Sequence, residues 1–204
     1  MEKFVIGRND YLSRNTTGYY HQLYTGYKKP GNPDFVNTLK NTFNDESRNN
    51  LTNARDKVID ILMEDLPVVI KTENMFNCMV VCVPRAKNLE SYSDNQLMFK
   101  EAVRTAANNT YGVFDGTDCI IRHEDTKTTH LMRANITNDG CTPYPGITVD
   151  TCTIDREIIE MRDIILIDDI YTRTINIDED CIQALYDNGV NSVIFYSIGY
   201  TRRF

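Results

Sequence analysis

Two short apolar runs constrain the fold of this chain more than any other feature. Residues 78–83 and residues 164–167 are continuously apolar, and each run is followed at once by a proline-containing or acidic segment. Strands buried on both faces have such continuous runs, whereas half-exposed strands alternate apolar and polar residues. The two runs therefore predict central strands of a parallel sheet.

Strand and helix patterns alternate around these two runs. Further short strands are predicted at residues 119–121, 147–154 and 193–198. A helix is predicted over residues 98–108, and another over residues 177–188 with Gly189 as its left-handed stop. This alternation predicts an α/β domain, a Rossmann-like parallel β-sheet with helices on both faces.

The N-terminal part of the chain has a different pattern. Residues 1–73 are rich in tyrosine and show no clean strand or helix period, apart from an amphipathic helix over residues 51–66. Pro67 is expected to end that helix. We therefore expect an N-terminal helical accessory region at residues 1–73 and an α/β core at residues 74–204.

Composition and charge exclude several classes of protein. Hydrophobic residues make up 41% of the chain and charged residues 25%, which is typical of a folded globular protein. The formal net charge of −7 gives the whole protein no attraction to nucleic acid. No apolar run reaches the roughly 18 residues needed to span a bilayer, and no signal peptide is evident, so we expect a cytoplasmic protein that binds no membrane.

The six cysteines are spread along the chain without a C-x-x-C pair. We interpret them as reduced thiols, which is the usual state in a cytoplasmic protein. A disulfide or zinc framework is the alternative.

The segment over residues 163–176 carries the clearest chemical signal. Its apolar strand leads into Asp168 and Asp169, and a polar loop then leads into a helix at Asn176, with Glu179 expected as its cap partner. Ligands of open parallel sheets bind outside the carboxyl ends of the strands, where we expect the two acids. A helix start favours a phosphate, while carboxylates accept hydrogen bonds from hydroxyls. A ribose 5-phosphate unit satisfies both groups.

Residues 164–176 resemble the phosphoribosyl pyrophosphate signature of type I phosphoribosyltransferases, which consists of a hydrophobic strand, two acids and a phosphate loop. The resemblance implies that Asp168 and Asp169 are the catalytic acids and contact the ribose hydroxyls. It also implies a loop around the 5-phosphate formed by Ile170, Thr172, Arg173, Thr174 and Asn176. Arg173 is similar to the amidophosphoribosyltransferase version of the motif, whereas Thr174 stands where the family usually has glycine.

A second, weaker resemblance lies upstream. Residues 83–87 follow the first apolar run, where the family keeps its pyrophosphate loop, and this implies pyrophosphate contacts from Arg85 and Lys87. The sequence is similar here to the competence-associated branch of the family. In that comparison residues 122–131, with His123 and His130, correspond to a flexible hood.

The resemblance implies a type I phosphoribosyltransferase fold and transfer of a phosphoribosyl group to a base or amine, with release of pyrophosphate. The implied cofactor is Mg²⁺, held through the substrate and by Asp168 and Asp169. One alternative is a non-catalytic regulatory module that binds phosphoribosyl pyrophosphate or a nucleotide. Another is an aspartyl-phosphate enzyme or receiver domain, which also uses acids at strand ends. A homodimer is left open.

Overall fold

The centre of the fold is a six-stranded sheet. A computed structural model of the chain describes residues 1–128 and 146–201. The eight strands of these residues are β1 (Glu2–Ile6), β2 (Thr16–Tyr24), β3 (Cys78–Cys82), β4 (Val113–Asp115), β5 (Ile120–Arg122), β6 (Cys152–Ile154), β7 (Asp163–Tyr171) and β8 (Ser192–Thr201). The sheet has the order β1-β2-β8-β7-β3-β4, and its neighbouring strands are parallel except for β1 and β2. This mostly parallel sheet confirms the α/β class.

Helices cover both faces of the sheet, as predicted. They are α1 (Asp34–Lys40), α2 (Arg48–Glu73), α3 (Met98–Asn109), α4 (Arg156–Ile159) and α5 (Ile177–Asp187). Ile165 and Ile167 of β7 belong to a core cluster with α2 and α3. Ile164 and Leu166, on the other face of the same strand, belong to a second cluster with α5. Burial on both faces explains the continuous apolar run.

Two of the predicted strands lie outside the main sheet. β5 and β6 pair with each other as a separate antiparallel sheet. The prediction of one parallel sheet is wrong for them because they are half-exposed. Ile120 is buried, whereas the next residue, Ile121, is 38% exposed, which is typical of an antiparallel pair.

The N-terminal residues contribute strands as well as helices, so the expectation of a helical region is wrong. β1 and β2 extend the main sheet, and β2 pairs in parallel with β8, from Gly18 opposite Phe195 to Tyr24 opposite Thr201. Tyr19 and Tyr20 are buried in this arrangement. The division at residue 73 stays a prediction.

Pro67 does not end the helix that precedes it. α2 continues through Pro67 to Glu73. A proline inside a helix removes one backbone hydrogen bond and costs about 3 kcal/mol. Leu66, Val69 and Ile70 around it are buried in the core, and their burial offsets that cost.

The helices predicted over residues 98–108 and 177–188 are confirmed as α3 and α5. Gly189 follows α5 with a left-handed φ of 87°. The five cysteines of the described residues are unpaired and buried, and Cys141 lies outside those residues. Within residues 1–128 and 146–201, no helix is both long and apolar enough to cross a membrane.

Candidate functional site

The carboxyl ends of four parallel strands surround a cavity of about 730 Å³. Tyr24 at the end of β2 and Thr201 at the end of β8 line it, together with residues that follow β3 and residues near the end of β7. The volume lies in the range of small-molecule sites. A cavity at this edge is where open parallel sheets bind their ligands.

Most of the predicted site residues meet in this cavity. Those that line it are Asp168, Asp169, Ile170, Thr172, Thr174, Arg85 and Lys87. Arg173 is exposed, and neither Arg173 nor Asn176 is part of the lining. The structure therefore brings together the acids, the cavity-facing part of the loop, and the two basic residues after β3.

Asp168 and Asp169 lie inside β7, and not after its end as predicted. β7 stays paired with β8 beyond both acids, while its pairing with β3 ends before them. Successive side chains of a strand leave opposite faces of the sheet. Asp168 accordingly contacts Asp178 of α5. Asp169 instead pairs with Lys40 of α1, whose Nζ lies 3.3 Å from Asp169 Oδ2.

The carboxyl groups of Asp168 and Asp178 are in contact, with Asp178 buried and Asp168 half-buried. Burial and the adjacent Asp169 carboxylate raise the pKa of Asp168 to about 7. Burial and the charge of Asp168 raise the pKa of Asp178 well above its usual value, and Asp178 is only 4% exposed. This contact favours a shared proton, with Asp178 as its donor.

Asp178 also has an unsatisfied oxygen. Its Oδ1 atom is buried and has no hydrogen-bond partner among the described residues. Buried polar atoms are normally paired, and each exception needs an explanation. Asp178 lines the cavity, so a bound ligand is one candidate partner for this oxygen.

Lys40 is the positively charged partner of Asp169. Burial lowers the pKa of the Lys40 ammonium, but the carboxylates of Asp169 and Asp168 outweigh this effect, and the pKa is raised above its ordinary value. Lys40 is therefore charged at neutral pH.

The loop between β7 and α5 is held by one hydrogen bond within the loop and one to β8. The Ile175 N–H donates to the Thr172 carbonyl at 2.9 Å, and Thr172 Oγ1 donates to Thr201 Oγ1 at 3.0 Å. The left-handed residue of this loop is Asn176, with a φ of 61°, and Thr174 is not left-handed. The Cβ of Thr174 therefore causes no backbone strain, although glycine is usual there in the family that the segment resembles.

The predicted cap pair of Asn176 and Glu179 is wrong. Asn176 makes no side-chain cap, and its Oδ1 accepts a hydrogen bond from Asn9 Nδ2 at 3.1 Å. Glu179 is buried and accepts a hydrogen bond from the Tyr171 hydroxyl at 2.8 Å. The first turn of α5 packs against β7, so Glu179 finds a partner inside the protein instead of at the helix start.

Arg85 and Lys87 already have partners within the protein. Arg85 donates to the carbonyls of Gln96 and Lys40, each at 2.6 Å, and its guanidinium lies 4.5 Å from the centroid of the Tyr92 ring. Lys87 Nζ donates to the Thr126 carbonyl at 3.1 Å. Both side chains line the cavity while they hold neighbouring loops in place.

Several cavity residues were not predicted as ligand groups: Tyr24, Lys40, Lys100, Arg122 and Asp178. Asp178 lies two residues beyond the predicted loop, where an acid in a first helical turn is usually solvated. Tyr24 and Lys40 come from the N-terminal region, and no sequence signal connects them with the acids. His123 is exposed and lies 3.2 Å from Thr153 Oγ1, and His130 lies outside the described residues.

The acids fit a Mg²⁺ ion that arrives with its ligand. Among the described residues, no group of three or more acidic, histidine or cysteine side chains could hold a metal ion. Asp168 and Asp169 supply two carboxylates to one cavity. Proteins commonly bind Mg²⁺ through one or two carboxylates, with substrate phosphates and water completing the octahedron.

The cavity is lined by charged side chains of both signs. We call the acidic set, Asp168, Asp169 and Asp178, the acidic wall, and the basic set, Lys40, Arg85, Lys87, Lys100 and Arg122, the basic wall. The two walls indicate a ligand that carries hydroxyl donors and an anionic group.

A scan against protein-family models finds no match to the chain, and a search of the curated proteins finds none either.

Proposed function

We propose that the cavity binds phosphoribosyl pyrophosphate, and that the protein transfers the phosphoribosyl group to a base or amine with release of pyrophosphate. The observation that carries this proposal is the cavity itself, in which the acidic wall and the basic wall meet at the carboxyl ends of parallel strands. A type I phosphoribosyltransferase fold is part of the same proposal.

The acidic wall supplies the sugar contacts in this proposal. The vicinal hydroxyls of the ribose donate hydrogen bonds to Asp168 and Asp169. Hydrogen bonds from hydroxyls to carboxylates are charge-assisted and stronger than neutral ones. Both acids line the same cavity, so each of the two hydroxyls is assigned to one carboxylate.

The loop before α5 receives the 5-phosphate. Thr172 and Thr174 of this loop line the cavity, and the first turn of α5 offers backbone N–H groups. A helix start of this kind favours a phosphate through its N–H groups and its dipole. Sharing of a proton between Asp168 and Asp178 lowers the negative charge that the phosphate meets.

The basic wall stabilises the pyrophosphate. Transfer breaks the bond between the sugar C1 and a pyrophosphate oxygen, so negative charge develops on the leaving group while the acceptor nitrogen attacks C1. Arg85, Lys87 and their neighbours place fixed positive charge beside that group. Mg²⁺, when bound with the substrate, neutralises further charge on the pyrophosphate.

The regulatory alternative has one observation in its favour. Asp169 is already paired with Lys40 and Asp168 with Asp178, so the acids are satisfied before any ligand arrives. A protein that binds phosphoribosyl pyrophosphate without reacting would use the same cavity.

One experiment tests the proposal and separates the alternatives. The full chain is titrated with phosphoribosyl pyrophosphate and Mg²⁺ by calorimetry, and pyrophosphate release is then followed with a panel of bases and amines. Saturable binding with release supports the transferase. Binding without release from any acceptor supports the regulatory module. Absence of binding at millimolar ligand overturns both.

A further inference from the structure

The five cations of the basic wall differ in what they are bonded to. Arg122 donates to the carbonyl of Arg85 at 2.8 Å and to that of Gly146 at 2.9 Å, and Arg122 is buried. Arg85 donates to the carbonyls of Gln96 and Lys40. These two guanidiniums hold backbone in place, and releasing them would leave buried carbonyls unpaired.

Two of the three lysines have partners away from the acidic wall. Lys100 pairs with Asp118 at 2.7 Å, and Lys87 donates to the Thr126 carbonyl. Lys40 differs because its partner is Asp169, a member of the acidic wall. A ligand whose hydroxyls reach Asp169 therefore competes with the Lys40 ammonium for the same carboxylate.

The backbone of Lys40 is fixed, whereas its side chain extends into the cavity. Lys40 is the last residue of α1, its carbonyl accepts from Arg85, and Asn41 after it ends the helix in a left-handed conformation. The Lys40 side chain is 28% exposed and lines the cavity. Four methylene groups let an ammonium group swing by several ångströms about a fixed Cα.

We propose that Lys40 is a ligand-binding residue, which leaves Asp169 and contacts a phosphate oxygen of the ligand when the sugar hydroxyls occupy the acids. This inference rests on the proposed function and names a phosphate contact supplied by the N-terminal region. The exchange keeps both charges paired, because Asp169 gains hydroxyl donors and Lys40 gains an oxyanion.

The exchange also gives the site its specificity. A sugar without a phosphate would displace Lys40 from Asp169 and leave the ammonium without an anion. A phosphate without a sugar diol would draw Lys40 away and leave Asp169 without a donor. Only a ligand with both groups satisfies both partners, and leaving a charged group of such a cavity unpaired is unfavourable.

The test compares Lys40→Gln with the wild type and with Lys57→Gln, an exposed lysine on α2 that does not line the cavity. Each protein is titrated by calorimetry with phosphoribosyl pyrophosphate and Mg²⁺, with ribose 5-phosphate, and with Mg²⁺-pyrophosphate. We expect Lys40→Gln to lose about 10- to 100-fold in affinity for phosphoribosyl pyrophosphate. Lys57→Gln should stay within about twofold, as a distant surface change does.

The two smaller probes identify the phosphate that Lys40 contacts. A loss confined to ribose 5-phosphate assigns the 5-phosphate, and a loss confined to pyrophosphate assigns the leaving group. Lys40→Arg, which keeps the charge, should restore at least part of the lost affinity. Thermal unfolding of each variant verifies that it is folded.

A second variant separates ligand contact from simple neutralisation of Asp169. In an Asp169→Asn background Lys40 has lost its anionic partner, so we expect a several-fold gain in affinity for the smaller probe whose phosphate Lys40 contacts, and Lys40→Gln should abolish that gain. If Lys40 serves only Asp169, neither change alters the binding of ribose 5-phosphate or of pyrophosphate in this background, and the inference is overturned.

The outcomes distinguish failure of the inference from failure of the function. Tight phosphoribosyl pyrophosphate binding that is equal in the wild type and in Lys40→Gln overturns the role of Lys40 and leaves the proposed function intact. Absence of binding to the wild type overturns both.

Discussion

The two walls of the cavity differ in how their charged groups are satisfied. On the basic wall, Arg85 and Arg122 donate to backbone carbonyls, so their charges stabilise the loops around the site. On the acidic wall, Asp168 and Asp178 face each other, and Asp178 keeps a buried oxygen without a hydrogen-bond partner among the described residues. From this difference we expect the Asp168–Asp178 pair to reduce stability and the acidic carboxylates to exchange partners when a ligand binds, whereas the arginines of the basic wall are mainly structural.

The sharpest test of this contrast is the double variant Asp168→Asn with Asp169→Asn. We expect phosphoribosyl pyrophosphate affinity to fall by at least about 100-fold, because two charge-assisted hydrogen bonds are worth roughly 3–6 kcal/mol. The free energy of unfolding should change little, because relief of the repulsion between Asp168 and Asp178 is opposed by loss of the ion pair between Asp169 and Lys40. Calorimetric titration and urea unfolding measure the two quantities. Asp60→Asn, an exposed acid on α2, is the control and should change neither.

Arg85→Ala should change the free energy of unfolding much more than the acid variant does, and should lower it. It leaves two carbonyls without their charged donor, so we expect a loss of roughly 2–3 kcal/mol in the free energy of unfolding, measured with urea. Arg85→Lys should recover little, since an ammonium cannot reproduce the fork of a guanidinium. Unchanged stability with a large loss of pyrophosphate affinity would show that Arg85 is a ligand residue, and the contrast between the walls would fail.

Asp178→Asn should stabilise the protein by about 1–3 kcal/mol at pH 8, because the folded protein no longer has to hold a proton on Asp178 that the unfolded chain releases at this pH. The folded pKa values of Asp168 and Asp178 lie above their unfolded values, so the folded state holds more protons. The free energy of unfolding from this pair therefore falls as the pH rises from about 4 towards 7 and beyond.

Thermal unfolding between pH 4 and pH 8 measures this dependence. Asp178→Asn should flatten the decline, and Asp187→Asn on the same helix is the matched control because Asp187 is exposed and does not line the cavity. A wild type whose stability rises over this range, with no difference in Asp178→Asn, would contradict the shared proton.

The smallest effect is expected at Thr174, which lines the cavity on the loop before α5. Thr174 is not left-handed, so glycine brings no relief of strain, and its extra freedom in the unfolded chain lowers stability by about 0.4–1 kcal/mol. We expect Thr174→Gly to keep phosphoribosyl pyrophosphate affinity within about threefold. A larger loss, measured by calorimetry, would assign a contact to the Thr174 hydroxyl.

The parts of the fold that follow from local patterns were predictable from sequence. The runs at residues 78–83 and 164–167 became β3 and β7 because continuous burial leaves a clear apolar signal. The strand β2 was missed because its tyrosines are packed on both sides, which hides the period of two. The helix end predicted at Pro67 was wrong because the tertiary packing of α2 outweighs the local cost of a proline inside a helix.

The candidate site was predictable only where it is contiguous in sequence. Asp168 and Asp169 lie on one strand and reach the cavity as expected, apart from the strand continuing past them. Lys40 reaches the same cavity from α1, whose Val36 and Leu39 pack in one core cluster with α2 and α3, and no local pattern encodes that approach. The proton shared by Asp168 and Asp178 depends on a burial that composition does not reveal.

The parallel pairing of β2 with β8 makes the first 24 residues an integral strip of the sheet. Without them, the long apolar strand β8 would present bare N–H and C=O groups to solvent, and exposed edges of this kind promote self-association. A shortened protein that begins at residue 25 is therefore expected to aggregate. A synthetic peptide covering residues 1–24 should restore solubility by donating its strands in trans.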